Sequence, residues 1–234
     1  MGLGQWINER TGIKDVSRVL LSRKIPRTGW AYTLGSATLF VMILQMFTGI
    51  LLSVYYVPTP DHAWSSVNYI QNQVWFGWLI RGLHHYGASA MVILVGLHMI
   101  WVVVYGAYRY PREVTWLTGV LLLLVTMAFS FTGYLLPWDQ KAYWATTVGT
   151  QFVRTTPVIG NWLLMVVQGG PTLSAVTLAR FFGTHIWILP ASLLLIVSVH
   201  LYLVIRLGIS APPWKPKTQG KSVREANRKS ETVE

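Results

Sequence analysis

The chain has 234 residues, of which 53% are hydrophobic and 12% are charged, about half the charged fraction of a soluble globular domain. This composition excludes an ordinary soluble protein and indicates a membrane protein with several spans, and the twelve tryptophans and eleven tyrosines are typical of aromatic belts at membrane surfaces. The absence of cysteine excludes disulfides, thiolate metal ligands and thioether attachment of a cofactor to this chain.

The chain begins with a polar, basic segment and then becomes apolar. Residues 1–30 scatter apolar side chains among charges, which predicts an amphipathic helix on the membrane surface, with a solvated tail as the alternative. No cleavable signal peptide is recognisable there. A first span is predicted over residues 31–56, long enough for a hydrocarbon core of about 30 Å. Apart from Gln45 and small residues, this span is apolar.

Three further apolar stretches are long enough to cross a membrane. They are predicted over residues 77–105, 116–136 and 183–206. The sequence therefore predicts an all-α fold, a four-helix transmembrane bundle over residues 31–208. A charged tail over residues 209–234 is predicted to be disordered.

The connection between the third and fourth spans is long. Residues 137–180 are moderately apolar but are interrupted at 169–171 by Gly-Gly-Pro, so they are not expected to cross the membrane. We expect short surface helices there, for instance over 141–153 and 161–167. Connections of this length in compact proteins are usually functional.

The basic excess, a net charge of +11, is distributed unequally between the two sides of the membrane. With four spans, both termini and the loop between the second and third spans share one side. That side holds fifteen of the nineteen lysines and arginines, so the positive-inside rule predicts that both termini are cytoplasmic. The charge is interpreted as a mark of orientation and of contact with lipids, not of nucleic-acid binding.

Two of the predicted spans carry two histidines each. His84 and His98 are fourteen residues apart, which is about 21 Å along a helix axis with both side chains within about 40° of one face. His185 and His200 are fifteen apart, again on roughly one face. Because the second and fourth spans both enter from the outer side, His185 is expected to pair in depth with His84, and His200 with His98. Histidines inside a membrane indicate a functional site.

Each predicted pair suits the two axial positions of a haem iron. Two neutral imidazoles on opposed helices are typical ligands of a low-spin haem, whereas zinc usually takes four ligands, often with cysteine or carboxylate. For any one histidine, a hydrogen-bonded structural role is the alternative. His62 lies in a loop, and His85 points about 100° away from its neighbour His84, so neither is expected to be a ligand.

The first and third spans repeat the same period in glycine. Gly35 and Gly49 are fourteen residues apart, and so are Gly119 and Gly133. We expect these glycines to let the backbone approach a haem face where a side chain would clash. Packing of membrane helices through small residues is the alternative. Gln45 lies between the first two glycines and is also predicted to bind the cofactor.

Five arginines near the ends of the spans are candidates to pair with haem propionates. They are Arg81 and Arg180 on the outer side and Arg109, Arg112 and Arg206 on the inner side. For each of them, snorkelling of the side chain to the membrane surface is the alternative.

The paired glycines and histidines, together with segments 137–140 (Pro-Trp-Asp-Gln) and 157–160 (Pro-Val-Ile-Gly), resemble the N-terminal half of cytochrome b. The spacing of fifteen in the fourth span, and a chain that ends after four spans, are similar to cytochrome b6 and its split bacterial relatives. The resemblance covers roughly residues 24–212. It implies two non-covalent haems b, a low-potential haem on the outer histidines and a high-potential haem on the inner ones.

The resemblance also implies part of a quinol-oxidation pocket. Its residues are Gly133, Tyr134, Trp138, Tyr143 and Trp144. The family's Pro-Glu-Trp-Tyr motif is absent and is expected on a separate three-span subunit that supplies the C-terminal half. Cytochrome b6 proteins carry a cysteine near the start of the first span for an extra c-type haem. Thr33 stands there in this chain, so no covalent haem c is expected.

The leading hypothesis from the resemblance is an enzyme subunit, not complete alone, of a quinol:cytochrome c (or plastocyanin) oxidoreductase. Such a subunit carries electrons between an outer quinol-oxidation site and an inner quinone-reduction site in a Q-cycle. The implied partners are a Rieske iron–sulfur protein and a c-type cytochrome, in a dimeric complex of a bacterial cytoplasmic or thylakoid-type membrane.

Two other functions are alternatives to this hypothesis. A dihaem membrane anchor that relays electrons for a dehydrogenase or hydrogenase explains the histidines, but it does not explain the segment 137–140. A transporter that relays protons through histidines would need carboxylates inside the spans, and none occurs there.

Overall fold

A computed structural model of the chain describes residues 29–208 and 210, together with four residues near the N-terminus, Gly2, Gln5, Trp6 and Asn8. The chain falls into two compact units, Met1–Thr33 and Leu34–Glu234. In the first unit, Trp30–Thr33 forms a 3-10 turn, and Thr33 Oγ1 donates to the carbonyl of Trp30 at 2.6 Å. The predicted surface helix over 1–30 and the predicted tail over 209–234 lie almost entirely outside the described residues.

The described part of the second unit is helical and contains no strand. Its α-helices are α1 (Leu34–Ser53), α2 (Ala63–Asn72), α3 (Gly77–Val104), α4 (Glu113–Leu135), α5 (Gln140–Arg154), α6 (Gly160–Gln168), α7 (Ala175–Gly183) and α8 (Leu189–Leu207). A π-helical turn, Thr184–Ile188, joins α7 to α8 without a break.

Four helices of the described part are long and apolar enough to cross a membrane. They are Trp30–Ser53, Gly77–Val104, Glu113–Leu135 and Ala175–Leu207. Large apolar side chains cover their outer surfaces; Phe40 is 68% exposed and Leu195 is 68% exposed. Such a surface requires an apolar solvent, which a lipid bilayer provides. The chain is an integral membrane protein, and the predicted all-α class with four spans is confirmed.

The spanning helices pack as two pairs that meet at an apolar centre. Helix α1 lies along α3, and α4 lies along α8. The buried residues Met42, Met91, Val95 and Leu193 form the central cluster. Three of these residues lie about midway between predicted site residues of their own span. Met42 is between Gly35 and Gly49, Met91 is between His84 and His98, and Leu193 is between His185 and His200. The cluster therefore separates two ends of the bundle, and these ends hold the histidines.

Short helices cover one end of the bundle, as the sequence predicts for its outer side. Helices α5 and α6 occupy the predicted positions, extended by one residue at each end. A second apolar cluster, built on Ala63, Leu135, Leu178 and Phe181, joins α2 to the ends of α4 and α7. The Tyr56 hydroxyl, just beyond α1, donates to the carbonyl of Leu136 at 2.6 Å.

The fourth span begins earlier than the sequence predicts. Residues 175–180, expected to belong to the connection, lie in α7, which continues through the π turn into α8. The physical reason is a capping box at Ser174 and Thr177, which satisfies backbone donors at the start of α7. Thr177 also donates to the carbonyl of the buried Gln168, and Gln168 Nε2 donates to Thr150 Oγ1, each at 2.6 Å.

Candidate cofactor site

The structure brings the four predicted histidines into two pairs. His84 of α3 and His185 of the π turn face each other, with ring centroids 6.4 Å apart and planes at 75°. His98 of α3 and His200 of α8 lie fourteen and fifteen residues further along their spans, each against a glycine of a neighbouring span, Gly35 for His98 and Gly119 for His200. We call these pairs the His84–His185 layer and the His98–His200 layer.

The spacing within the His84–His185 layer suits a shared metal ion. With metal–nitrogen bonds of about 2 Å and rings about 1 Å in radius, two imidazoles on opposite sides of one ion have centroids about 6 Å apart. The observed 6.4 Å agrees with this value. Across the described residues, no group of three or more His, Cys, Asp or Glu side chains is placed to hold a metal. Two paired imidazoles at this distance fit the iron of a haem, the cofactor that the sequence predicts.

Each predicted glycine lies against one imidazole of the neighbouring helix. The closeness is measured by the distance from a Cβ atom, built on the glycine, to the Cε1 atom of the ring. This distance is 3.3 Å for Gly35 and His98, 3.1 Å for Gly49 and His84, 3.4 Å for Gly119 and His200, and 2.7 Å for Gly133 and His185. Sequence reasoning expected the glycines to make room for a haem face. In the structure, the nearest atoms to each glycine belong to a histidine, so these glycines let the histidine-bearing helices approach closely.

Three threonine hydroxyls contact the histidines, and sequence reasoning missed all three. Each Oγ1 lies 2.9–3.0 Å from the Nδ1 atom of a histidine, in the pairs Thr48 with His84, Thr118 with His200, and Thr132 with His185. The signal was in the sequence, since each of these threonines directly precedes one of the predicted glycines.

The hydrogen-bond pattern of these threonines favours a proton on Nδ1 of each imidazole that they contact. Thr48 and Thr132 donate to carbonyls of their own helices at 2.7 Å, and Thr118 does so at 2.8 Å. A hydroxyl has one proton, so the same oxygen accepts from Nδ1–H of the histidine. Nε2 then keeps its lone pair. The donor set therefore fits an iron ligated through Nε2.

His98 differs from the other three histidines. Its Nδ1 atom is buried without a hydrogen-bond partner in the described part of the chain. The residue that precedes its glycine, Gly35, is Leu34, which has no hydroxyl.

A π turn corrects the direction of His185. Fifteen residues of α-helix overshoot a whole number of turns by about 60°, whereas fourteen fall short by about 40°. In Thr184–Ile188, the Leu189 N–H donates to the carbonyl of Thr184, five residues back, so one residue is absorbed. Pro190 follows directly and has no N–H to donate to Ile186, which weakens the α-helical alternative. The turn thus restores the fourteen-residue relation found in the other three spans.

Gln45 lies beside the His84–His185 layer. Its Nε2 atom donates to the carbonyl of Leu83, at 3.3 Å, and so ties α1 to α3 one residue before His84. A Cβ atom on Gly87 would collide with the same amide. Gln45 therefore stabilises the close packing of the two helices next to a histidine.

Two of the predicted arginines lie near the His84–His185 end of the bundle. Arg81 Nη1 donates to Gln71 Oε1 at 2.8 Å. Arg180 Nη1 donates to the carbonyl of Val166 at 2.5 Å, in the last turn of α6. A guanidinium has five N–H donors, so both side chains keep donors for an acidic group.

The other three predicted arginines lie at the opposite end. Arg112 Nε donates to the carbonyl of Gly208 at 3.3 Å, beyond the end of α8. The guanidinium of Arg109 lies 5.8 Å from the centroid of the Tyr108 ring, and Arg206 is exposed in the last turn of α8.

The residues predicted for a quinol pocket are brought together only in part. Trp138 and Tyr143 meet edge to face with centroids 5.7 Å apart, and Tyr143 contacts Trp144 at 5.4 Å. Tyr143 and Trp144 also line a shallow cleft of about 100 Å³. Gly133 instead faces a histidine, and Tyr134 is 43% exposed on α4.

The fold and the site define an integral membrane helical bundle whose interior holds two layers of paired imidazoles. A family model described as cytochrome b/b6/petB matches residues 20–208. The chain therefore belongs to the cytochrome b/b6 family, which confirms the resemblance drawn from the sequence. Membership of this family implies binding of haem b.

Similar proteins cover almost the whole chain. It is 42% identical over 219 residues to the menaquinol:cytochrome c reductase cytochrome b subunit of Geobacillus thermodenitrificans, covering 90% of this chain and 98% of the relative. It is 39% identical over 208 residues to cytochrome b6 of Prochlorococcus marinus (strain AS9601), covering 88% and 95%. A solved chain of a hyperthermophilic respiratory complex III superposes with a TM-score of 0.81 at 33% identity, covering 92% of this chain and 58% of the solved chain. This chain thus spans rather more than half the length of that solved chain.

Proposed function

We propose that this chain is the dihaem cytochrome b subunit of a quinol:cytochrome c oxidoreductase, through which electrons cross the membrane between an outer quinol-oxidation site and an inner quinone-reduction site. The observation that carries the proposal is the pair of imidazole layers, each facing glycines of a neighbouring helix. A relative at 42% identity is named as a menaquinol:cytochrome c reductase subunit, which supports a quinol as the electron donor.

His84 and His185 would hold one haem b, and His98 and His200 the other. Haem supplies one-electron redox chemistry when it is bound. The protein's own part is to present Nε2 lone pairs from two spanning helices and to hold each ring in one orientation. Arg81 and Arg180 would pair with the propionates of the first haem. Arg109, Arg112 and Arg206 would do so for the second.

The two layers are proposed to define a path across the membrane. Fourteen residues of α-helix separate them, about 21 Å along the axis. The central cluster around Met42, Met91 and Leu193 fills the space between them with apolar side chains and excludes water. Moving one charge across the whole membrane is worth about 2.3 kcal/mol per 100 mV, so separation of the layers in depth allows electron transfer to store energy.

The outer side is proposed to be the side of α5 and α6, with both termini on the cytoplasmic side. This orientation follows from the excess of lysine and arginine on the other side of the bundle. This chain's part of a quinol-oxidation pocket would lie near the His84–His185 layer. It would consist of Gly133, Tyr134, Trp138, Tyr143 and Trp144. A three-span subunit that supplies the C-terminal half would complete the pocket.

The proposed partners follow from the same assignment. A Rieske iron–sulfur protein would take one electron of each quinol on the outer side, and a c-type cytochrome would accept it in turn. A dihaem anchor for a dehydrogenase or hydrogenase is less well supported, because the similar proteins are named as reductase or complex III subunits or as cytochrome b6. Co-purification with a Rieske protein, and not with a large dehydrogenase, is the expected result.

Haem content tests the central assignment. The purified complex is expected to give two haems b on this chain in reduced-minus-oxidised and pyridine haemochrome spectra. His84→Ala and His98→Ala should each remove one haem, and a different one. His85→Ala is the matched control, since His85 is adjacent to His84 but contacts Tyr86 edge to face at 5.1 Å. Two haems retained in His84→Ala would refute the assignment.

A further inference from the structure

Among the residues that the structure describes, three of the four predicted ligand histidines have a threonine partner and the fourth has none. Nδ1 of His84 and of His185 each lie beside a threonine hydroxyl, so both rings of the His84–His185 layer are held in this way. In the other layer, His200 has such a partner, but the buried Nδ1 of His98 has none in the described part of the chain. The two layers therefore differ in the number of hydroxyl hydrogen bonds to their imidazoles.

The missing bond at His98 is explained by one residue. Gly35 lies about as close to the His98 ring as Gly49 lies to the His84 ring. A Cβ atom on Gly35 would lie 3.3 Å from Cε1 and 3.8 Å from Nδ1 of His98. For Gly49 and His84, the corresponding distances are 3.1 and 3.8 Å. The helices thus approach equally at the two places. What differs is the preceding residue, which is Leu34 at one place and threonine at the other.

We propose that Thr48, Thr118 and Thr132 are positioning residues that set the redox poise of the two haems, and that Leu34 makes the His98–His200 layer the more easily reduced. The proposal rests on the proposed function, because it requires that the four imidazoles ligate haem iron. Each threonine acts through a histidine and does not itself contact the iron.

The direction of the effect follows from the hydrogen bond. A histidine that donates Nδ1–H to an acceptor becomes a more basic ligand through Nε2. A more basic ligand stabilises ferric iron over ferrous iron, so uptake of one electron becomes less favourable. The His84–His185 layer has two such bonds and the His98–His200 layer has one. An electron is therefore favoured on the latter, toward the side that holds both termini.

Removing one hydroxyl at a time tests the proposal. In the purified complex, Thr118→Val should raise the midpoint potential of the His98–His200 haem alone, and Thr48→Val and Thr132→Val should raise that of the other haem alone. The expected change in the ratio of reduced to oxidised haem is about three- to tenfold, where tenfold corresponds to about 59 mV for a one-electron couple. Spectroelectrochemical titration measures it. The haem band lost in His98→Ala identifies the layer.

Leu34→Thr is the converse test and should lower the potential of the His98–His200 haem. Thr126→Val is the matched control: Thr126 is a buried threonine of α4 whose hydroxyl, in the structure, donates to the carbonyl of Leu122 at 2.8 Å and to no histidine. It should leave both potentials unchanged. If Thr118→Val loses its haem, Thr118→Ser, which keeps the hydroxyl, should retain the haem at the native potential.

The outcomes separate this proposal from the proposed function. Two haems with unchanged potentials in all three valine variants would overturn the role of the threonines and leave the ligand assignment intact. A shift in the wrong layer, a shift in the opposite direction, or loss of haem in both Thr118→Val and Thr118→Ser would also overturn it. Haem content that does not respond to His84→Ala or His98→Ala would instead overturn the ligand assignment itself.

Discussion

The close approach of Gly133 to His185 makes a quantitative prediction. A Cβ atom at position 133 would lie 2.7 Å from Cε1 of His185, whereas ordinary contacts of this kind begin at 3.4 Å. In Gly133→Ala, α4 and the π turn must therefore separate by about 0.7 Å, or the ring must tilt away from its partner His84. Overpacking of this kind costs about 1–3 kcal/mol. The gain in helix propensity from glycine to alanine offsets up to about 1 kcal/mol of this.

Gly119→Ala is the matched variant on the same helix. Its Cβ would lie 3.4 Å from Cε1 of His200, which is an ordinary contact. We therefore expect Gly119→Ala to retain both haems and to be as stable as the native protein or slightly more stable. Gly133→Ala should lose the His84–His185 haem or release it at a lower temperature.

Haem spectra recorded during thermal denaturation of the purified complex measure both effects. If Gly119→Ala is as harmful as Gly133→Ala, a general intolerance of alanine on this helix face explains both variants, and the close contact with His185 is not the cause. Retention of both haems with native thermal stability in Gly133→Ala would equally contradict the prediction, since the protein would then accommodate the contact without cost.

Three further predictions concern the helices at the α5 and α6 end. Burial raises the pKa of Tyr56, so its contribution to stability is fully present below about pH 10 and declines as the pH rises further, where an unfolded tyrosine ionises but the buried one does not. Tyr56→Phe should cost about 1 kcal/mol at neutral pH and flatten the alkaline part of a stability-versus-pH profile. Asp139 accepts from the Ala142 N–H at 2.7 Å as the N-cap of α5, so Asp139→Ala should cost about 1 kcal/mol and Asp139→Asn much less, measured by proteolysis of α5. Gln168→Leu removes the Nε2 donor to the buried Thr150 hydroxyl and should accelerate hydrogen exchange in α5 and α6, whereas an unchanged rate would show that this buried hydrogen bond contributes little.

The spans and the histidine pairing were accessible from the sequence because few physical constraints determine them. A bilayer sets the length of each helix, and a fourteen-residue period keeps side chains on one face. His84 and His98 therefore had to leave their helix in nearly one direction. Family membership and the four spans are confirmed; haem ligation by these residues stays a prediction.

Features that depend on contacts between helices were not accessible in the same way. That Thr48 reaches the Nδ1 atom of His84 depends on how α1 is rotated about its axis, which a single helical period leaves open. The start of α7 is not evident from the sequence because its cap, Ser174, lies only three residues after Pro171, within the predicted connection between the third and fourth spans. The π turn does not follow from the spacing, because two side chains fifteen residues apart still lie on roughly one face of an α-helix. Pro190, which lacks an N–H, is its local signal in the sequence.

The π turn at Thr184–Ile188 also bears on how this bundle tolerates insertions and deletions. A single added residue within an α-helix rotates everything beyond it by about 100°, which would turn His185 away from His84. The π turn accommodates the additional residue within one turn of the helix. The helical segments on either side therefore keep the same rotational relation to each other as in a helix one residue shorter. What the bundle fixes in its fourth span is thus the direction of the two imidazoles. Deleting one residue here while replacing Pro190 should yield an uninterrupted α-helix with the same two faces, and the distance in sequence between its histidines would then be fourteen.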